Sequence, residues 1–187
     1  MKYFLEPLLY KLRFRRVVDY IPKNGKICDI CCGSRGSFLL DTRNLIKEGV
    51  GLDREVESRQ EGAIVFKKTS IDKEINERSE YFNCVTLLAA IEHLENPQNI
   101  VNEIFRILRP GGKVLITTPS PRGKWLLEFL AFKIGIVSPK EISDHKHYFS
   151  KEELLKICER AGFKNENIKI KEFEFGCNTF LCAKKEK

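Results

Sequence analysis

The stretch KICDICCGSRGSF, from Lys26 to Phe38, constrains the fold more than any other part of the sequence. It joins a short apolar run, Ile27 to Cys31, to a loop of small residues that contains Gly33 and Gly36. A buried strand, a glycine-containing turn and a helix in that order are typical of the first unit of a cofactor-binding α/β sheet. The glycine spacing fits G-x-G-x-x-G with one departure and D-x-G-x-G-x-G with two, so it leaves the kind of cofactor open.

Strand and helix patterns alternate through most of the remaining chain. This alternation predicts an α/β fold, doubly wound around a mostly parallel, seven-stranded, Rossmann-like sheet. The last two strand-like runs are joined by a short link and predict a C-terminal antiparallel hairpin. The predicted helices are Tyr3–Tyr20, Gly36–Lys47, Pro97–Leu108, Trp125–Ile134 and one that Ser150 caps and Gly162 ends; the predicted strands are Ile27–Cys31, Gly49–Asp53, Ala63–Lys68, Tyr81–Ala90, Lys113–Thr118, Ile168–Phe175 and Thr179–Ala183.

The composition is that of an ordinary globular domain, with 42% apolar and 32% charged residues among 187. Such a length favours one domain over residues 1–187. Met1 to Tyr20 carries charges throughout, so we expect no signal peptide and a cytoplasmic protein, at most peripheral to a membrane. The seven cysteines are an odd number in apolar surroundings, which predicts reduced, buried thiols. Cys28 and Cys31 form a C-x-x-C with no second pair of ligands at similar spacing, so we predict no metal site.

The net charge of +7 is concentrated in residues 1–26, which carry seven lysines and arginines against two acids. This excess fits a solvated helix face or an attraction to phosphate on a lipid headgroup, a nucleotide-linked substrate or RNA. The sequence contains no aromatic-basic recognition motif, which argues against a nucleic-acid partner.

Asp53 ends the second predicted strand, where its two oxygens could accept hydrogen bonds from both hydroxyls of a ribose. That arrangement suits NAD and S-adenosylmethionine equally. Asp29, inside the first strand, favours S-adenosylmethionine, because a buried acid is costly unless it has a cationic group such as an ammonium to meet. The C-terminal hairpin and the lack of room for a separate substrate domain point the same way.

Four segments in order resemble the class I S-adenosylmethionine-dependent methyltransferases, and in particular the small, single-domain, type 11-like group. They are KICDICCGSRGSF, GVGLD, LLAAIEHLENPQNIVNEIFRILRPGGKVLITTPS and HKHYFSKEELLKICERAGF. The similarity extends from Lys26 to Ala183. It implies a methyl transfer from S-adenosylmethionine to a small-molecule or lipid-linked acceptor. A binding module that has lost catalysis and an NAD-dependent oxidoreductase are the alternatives.

The resemblance implies a role for particular residues of the cofactor site. Asp53 would hold the ribose, and Arg54 would lie beside the adenine. The sequence departs from the family pattern at Cys31 (in place of the first glycine), at Arg35 (with Gly36 one position late) and at Asn83 (where an acid is common). The full predicted cofactor set is Asp29, Cys31, Cys32, Gly33, Ser34, Gly36, Asp53, Arg54, Ser70, Ile71, Leu88 and Ala89.

The acceptor side is predicted to follow the fourth strand and to include a lid. Glu92 and His93 are the catalytic candidates, His93 as a general base or Glu92 as a positioning group. The apolar segment Trp125–Val137 is too short to span a bilayer, which needs about 20 residues, and is interpreted as a lid, a lipid-contacting patch or a packed helix. We assign residues 1–22 to an N-terminal helix, 120–149 to an acceptor-side insertion or lid, and Trp125, His145, His147 and Tyr148 to the substrate side.

Overall fold

The computed structural model describes residues 6–71, 74–123, 144 and 146–187. Within them eight strands form one sheet in the order β3-β4-β2-β1-β5-β6-β8-β7. The neighbours from β4 to β6 run parallel, whereas β3, β8 and β7 pair antiparallel with their neighbours. The elements are α1 Glu6–Val17, β1 Gly25–Ile30, α2 Ser37–Thr42, β2 Ile46–Asp53, β3 Arg59–Glu61, β4 Ile64–Lys68, β5 Phe82–Leu88, α3 Pro97–Ile107, β6 Leu108–Pro119, α4 Lys151–Ala161, β7 Ile168–Phe173 and β8 Asn178–Lys184.

This architecture confirms the predicted doubly wound α/β sheet with a C-terminal antiparallel hairpin. The sheet has an eighth strand because the three-residue β3 pairs with β4, with Gln60 opposite Val65. Its sequence, Arg-Gln-Glu, carries no apolar alternation that would have revealed it.

The end of α2 and the start of β6 differ most from the sequence-based prediction, whereas the other described boundaries shift by three residues or fewer. The predicted helix Gly36–Lys47 is wrong at its end, because α2 stops at Thr42 and β2 already begins at Ile46. A turn ends the helix, with the amide of Leu45 donating to the carbonyl of Thr42 at 2.8 Å. The strand expected from Lys113 begins at Leu108, and its pairing with β5 shifts register between Phe82 and Cys84.

The two faces of the sheet bury two apolar layers. Because side chains alternate along a strand, Cys28 and Val85 pack with α3 and α4 on one face. Ile27 and Cys84 pack with α1 and α2 on the other face. All seven cysteines are free thiols; four of them are buried as predicted, whereas Cys31, Cys32 and Cys177 are only partly buried.

The start and end predicted for α4, a cap at Ser150 and a stop at Gly162, are confirmed. Ser150 Oγ accepts from the amide of Glu153 at 3.2 Å, and Glu153 Oε2 accepts from the amide of Ser150 at 2.8 Å, which completes a capping box. The helix ends at Gly162, whose φ of +111° is left-handed.

The N-terminal helix is present as α1, followed by a single 3-10 turn over Val18–Tyr20. Among the described helices none is both long enough and apolar enough to cross a bilayer. Trp125–Val137, the predicted helix Trp125–Ile134 and most of the assigned insertion 120–149 lie outside the described residues.

Candidate active site

A cleft of about 450 Å³ opens at the carboxyl ends of β1, β2, β4 and β5. Parallel strands bring these ends to one edge of the sheet, where α/β folds bind their ligands. The described lining residues are Cys31, Asp53, Arg54, Glu55, Thr69, Ser70, Ile71, Ala89, Ala90, His93, Leu94, Glu95, Asp144 and Lys146. Seven of them were predicted from the sequence: Cys31, Asp53, Arg54, Ser70, Ile71, Ala89 and His93.

The loop after β1 holds three residues in left-handed backbone conformations: Cys31 (φ +57°), Gly33 (+72°) and Gly36 (+64°). Gly36 has no room for a side chain, because a Cβ there would lie 2.0 Å from Cε1 of Phe66. Cys31 shows why a glycine is common at its position: the left-handed conformation costs an ordinary residue about 1–2 kcal/mol. The cysteine therefore keeps the turn that the glycine pattern requires.

Asp53 ties this loop to the end of β2. Its Oδ2 accepts from the amide of Gly33 at 2.8 Å, and its Oδ1 accepts from the amide of Glu55 at 2.7 Å. Each carboxylate oxygen can accept more than one hydrogen bond, so both retain capacity toward the cleft. A group with two neighbouring hydroxyls, such as a ribose, matches that pair of acceptors.

Asp29 lies behind the loop rather than in the cleft. It is 3% exposed and accepts a 2.6 Å hydrogen bond from Thr86 Oγ1. Burial raises its pKa to about 7, the hydrogen bond from Thr86 opposes the rise, and the charge of Asp53 adds to it. Any contact of Asp29 with a cofactor would therefore pass through an intermediary.

The turn after β5 supplies the far wall of the cleft. Ala89 is left-handed (φ +50°), and its amide donates to the carbonyl of Thr117 at 2.8 Å. This bond fixes the turn against β6. His93 lines the cleft two residues beyond Ile91, and its Nδ1 is 3.3 Å from the backbone oxygen of Asp144.

Glu92 is directed away from the cleft lining, into the end of the sheet. Only 1% of it is exposed, and its Oε2 accepts from Thr118 Oγ1 at 2.9 Å. Burial raises its pKa to about 7, and hydrogen bonds from Thr118 and from its own backbone partly oppose that rise. Its Oε1 is buried and has no hydrogen-bond partner among the residues described here.

The rim of the cleft is closed by part of the predicted acceptor-side insertion 120–149, through two residues that sequence reasoning did not single out. Asp144 forms an ion pair with Arg54 across a 3.6 Å gap, and Lys146 pairs with Glu95. The amide of Lys146 also donates to the carbonyl of Glu92 at 2.8 Å. Glu55 and Glu95 follow the ends of β2 and β5, and this position in the sequence could have predicted them as cleft residues. Asp144 and Lys146 are distant in sequence and reach the cleft only through the tertiary fold.

Several predicted residues do not line the cleft. Cys32 and Leu88 pack against the core layer under α1 and α2. Ser34 is exposed on the loop, and Tyr148 is half-buried beyond the rim. His147 Nε2 lies 3.0 Å from Glu153 Oε1 at the start of α4. Trp125 and His145 fall outside the described residues, and the part of the chain that is described contains no group of three potential metal ligands.

The chain is similar in sequence to known proteins. A family profile described as a methyltransferase domain matches residues 2–168. A ubiquinone biosynthesis O-methyltransferase of Klebsiella pneumoniae is 25% identical over 172 residues, which cover 84% of this chain and 69% of that protein.

Two solved structures share the fold. An S-adenosylmethionine-dependent methyltransferase of Archaeoglobus fulgidus superposes with a TM-score of 0.69 at 20% identity, covering 95% of this chain and 93% of that one. A second, from Mesorhizobium loti, gives 0.69 at 16% identity, covering 91% and 96%. At these identities the likeness establishes the fold.

Proposed function

This chain belongs to the methyltransferase-domain family, and from that premise we propose that it transfers the methyl group of S-adenosylmethionine to a hydroxyl of a small or lipid-linked acceptor. The observation that carries the proposal is Asp53, which is 8% exposed, joins the glycine loop to β2 and lines the cleft. Family membership decides against the oxidoreductase alternative.

The cleft residues fit the proposed cofactor. Asp53 would accept from the ribose hydroxyls, Arg54, Ser70 and Ile71 would surround the base, and Ala89 would face the amino-acid part. A Cβ on Gly33 would meet nothing within 4 Å, so the loop leaves open space there. When bound, S-adenosylmethionine supplies an electrophilic methyl group on a sulfonium. The protein then has to align that group with the acceptor and to manage one proton.

His93 is the residue we assign to the proton. A carbonyl oxygen can only accept, so the 3.3 Å contact with the Asp144 backbone makes Nδ1 the protonated nitrogen. In the neutral form of that tautomer, Nε2 carries the lone pair that can accept a proton. Glu92 contributes differently, since its side chain is buried beside Thr118 and holds the turn that carries His93. We therefore propose His93 as the base and Glu92 as a positioning residue.

A hydroxyl acceptor is supported by the relatives in Klebsiella pneumoniae and Aeromonas salmonicida, both of which are ubiquinone biosynthesis O-methyltransferases. At 25% identity the acceptor does not transfer from those proteins to this chain. The alternative function, a binding module that has lost catalysis, is suggested by Cys31 in place of the first glycine. The left-handed conformation of Cys31 keeps the loop shape, which favours the active enzyme.

The test is calorimetric titration of the wild type and the Asp53→Ala variant with S-adenosylhomocysteine and with NAD. We expect the wild type to bind S-adenosylhomocysteine and not NAD, and Asp53→Ala to bind at least tenfold more weakly. Asp19→Ala, an exposed acid beyond α1, is the matched control and should bind as the wild type does. A wild type that fails to bind S-adenosylhomocysteine contradicts the proposal.

Catalysis is tested separately on a panel of phenols and alcohols with labelled cofactor. His93→Gln should lower turnover without weakening cofactor binding. Binding of S-adenosylhomocysteine with no turnover on any acceptor would favour the inactive binding module.

A further inference from the structure

The turn between β7 and β8 presents an aromatic ring entirely to solvent. Phe175 is 107% exposed relative to its reference state. Three consecutive residues of the turn have left-handed backbones: Glu174 (φ +52°), Phe175 (+57°) and Gly176 (+84°). Two of them are not glycine, so the turn holds strain, and strained backbone concentrates at functional positions. A packing role among the described residues does not explain a phenylalanine at such a point, since the exposed ring is not part of either apolar layer.

This turn is firmly held in place. Ser120 Oγ donates to the carbonyl of Gly176 at 2.6 Å, and the amide of Ser120 donates to the carbonyl of Cys177 at 2.9 Å. Ser120 directly follows β6, whose last residue, Pro119, lies opposite Asn178. The ring of Phe175 therefore projects from the same edge of the sheet as the cleft.

Basic side chains surround the turn. Arg16 lies 5.6 Å from the ring of Phe173, and its Nη2 donates to the carbonyl of Glu172 at 3.4 Å. Burial raises the pKa of Glu174, and the charge of Arg13 opposes that rise, which places Arg13 within electrostatic reach of the turn. A Cβ on Gly176 would lie 3.9 Å from Nη1 of Arg122.

The helix α1, whose Arg16 contacts Glu172 of β7, also carries positive charge on its outer face. Lys11 and Arg15 are exposed, and Leu8 is 50% exposed one turn earlier. These residues recur at helical spacing and so share one face. Two acids lie at the turn: Glu172 is paired with Lys151 at 3.2 Å, and Glu174 accepts a hydrogen bond from Asn178 Nδ2. The basic residues named above outnumber these two acids.

We propose that Phe175, with the basic residues around it, forms a docking surface for an anionic phospholipid membrane. An exposed aromatic ring enters the interfacial layer, while lysine and arginine heads meet anionic headgroups. We choose an anionic bilayer as the partner because its headgroups complement the basic side chains and its apolar layer complements the ring of Phe175. Docking in this way would turn the cleft edge toward the membrane. Only the purpose of this membrane binding, access to a lipid-linked acceptor, rests on the proposed function.

Co-sedimentation with vesicles tests the surface without any enzymatic turnover. At about 0.1 M salt we expect binding to vesicles of phosphatidylglycerol and phosphatidylcholine and little binding to phosphatidylcholine alone. Phe175→Ser should weaken binding about tenfold, the order expected for losing partial burial of one aromatic side chain. Phe175→Trp should retain it, because tryptophan favours the interface. Raising the salt to about 1 M, where charges are screened beyond about 3 Å, should release the protein.

Charge-matched variants separate this surface from a general attraction of a basic protein. Lys11→Glu with Arg15→Glu should abolish binding, whereas Lys47→Glu with Arg109→Glu, exposed positions at the opposite edge of the sheet, should reduce it far less. Equal loss in both pairs, equal binding to neutral vesicles or an unaffected Phe175→Ser variant would each overturn the proposal. Titration of every variant with S-adenosylhomocysteine keeps this outcome distinct from a failure of the proposed methyl transfer.

Discussion

Replacing Gly36 by alanine should destabilise the protein far more than the same replacement at Gly33. Both glycines have left-handed backbones, with φ of +64° and +72°. Alanine at either position therefore meets the same conformational cost, about 1–2 kcal/mol. The two sites differ in what a new Cβ would touch, which makes them a matched pair.

The steric part of the cost falls on Gly36 alone. A Cβ there would lie 2.0 Å from Cε1 and 2.6 Å from Cζ of Phe66, whereas a Cβ on Gly33 meets nothing within 4 Å. Phe66 has little freedom to retreat, since it is 1% exposed, packs against Gly51 and lies 4.1 Å beneath the guanidinium of Arg59. Overpacking of this kind costs about 1–3 kcal/mol. We expect a loss of about 2–5 kcal/mol for Gly36→Ala and about 1–2 kcal/mol for Gly33→Ala.

Urea unfolding followed by circular dichroism and by tyrosine fluorescence measures both losses. A second substitution, Phe66→Leu, should recover part of the stability in the Gly36→Ala background and cost stability in the wild type, because contacting residues couple. Equal destabilisation by the two alanines would refute the steric argument. So would the absence of coupling between positions 36 and 66.

Three further predictions test the site and its supports. In Asp53→Asn the side chain has only one oxygen, so it can accept from Gly33 or from Glu55 but not from both. The substitution should cost about 1–3 kcal/mol of stability in urea unfolding and at least tenfold in S-adenosylhomocysteine affinity by calorimetry. An unchanged affinity would mean that Asp53 does not bind the cofactor. Burial raises the pKa of Glu92 from 4.5 to about 7, so the folded protein binds a proton there more tightly than the unfolded chain does. The resulting contribution to the free energy of unfolding is fully present below pH 4.5. It is lost as the pH rises through 7, and the loss is about 3 kcal/mol. Unfolding curves from pH 4 to 8 should therefore show the Glu92→Gln variant gaining on the wild type as the pH rises, and parallel curves would contradict the buried, protonated carboxyl. Ser150→Ala removes one of the two capping-box hydrogen bonds and should lower the free energy of unfolding by about 1 kcal/mol, whereas Ser150→Thr should keep most of that stability. Thermal unfolding measures both losses. Equal losses would show that the capping hydrogen bond does not stabilise the helix.

Local signals in the sequence determined most of the fold and the placement of Asp53 at the cleft. The period of the apolar residues separates strands from helices, and the capping box before α4 lies within four residues of sequence. Asp53 and the loop at Gly33 could be placed because parallel strands end at one edge, whatever the rest of the chain does.

Only the tertiary structure decided which residues face the cleft. Glu92 and His93 are adjacent in sequence, yet His93 lines the cleft and Glu92 is buried against Thr118. Asp144 and Lys146 close the rim because a segment some 50 residues after the turn at β5 folds back across it. No local pattern encodes such contacts, since they depend on long-range packing. The same is true of the loop at Cys31: its sequence departs from the glycine pattern, yet Cys31 is left-handed and the loop is tied to β2 through Gly33 and Asp53.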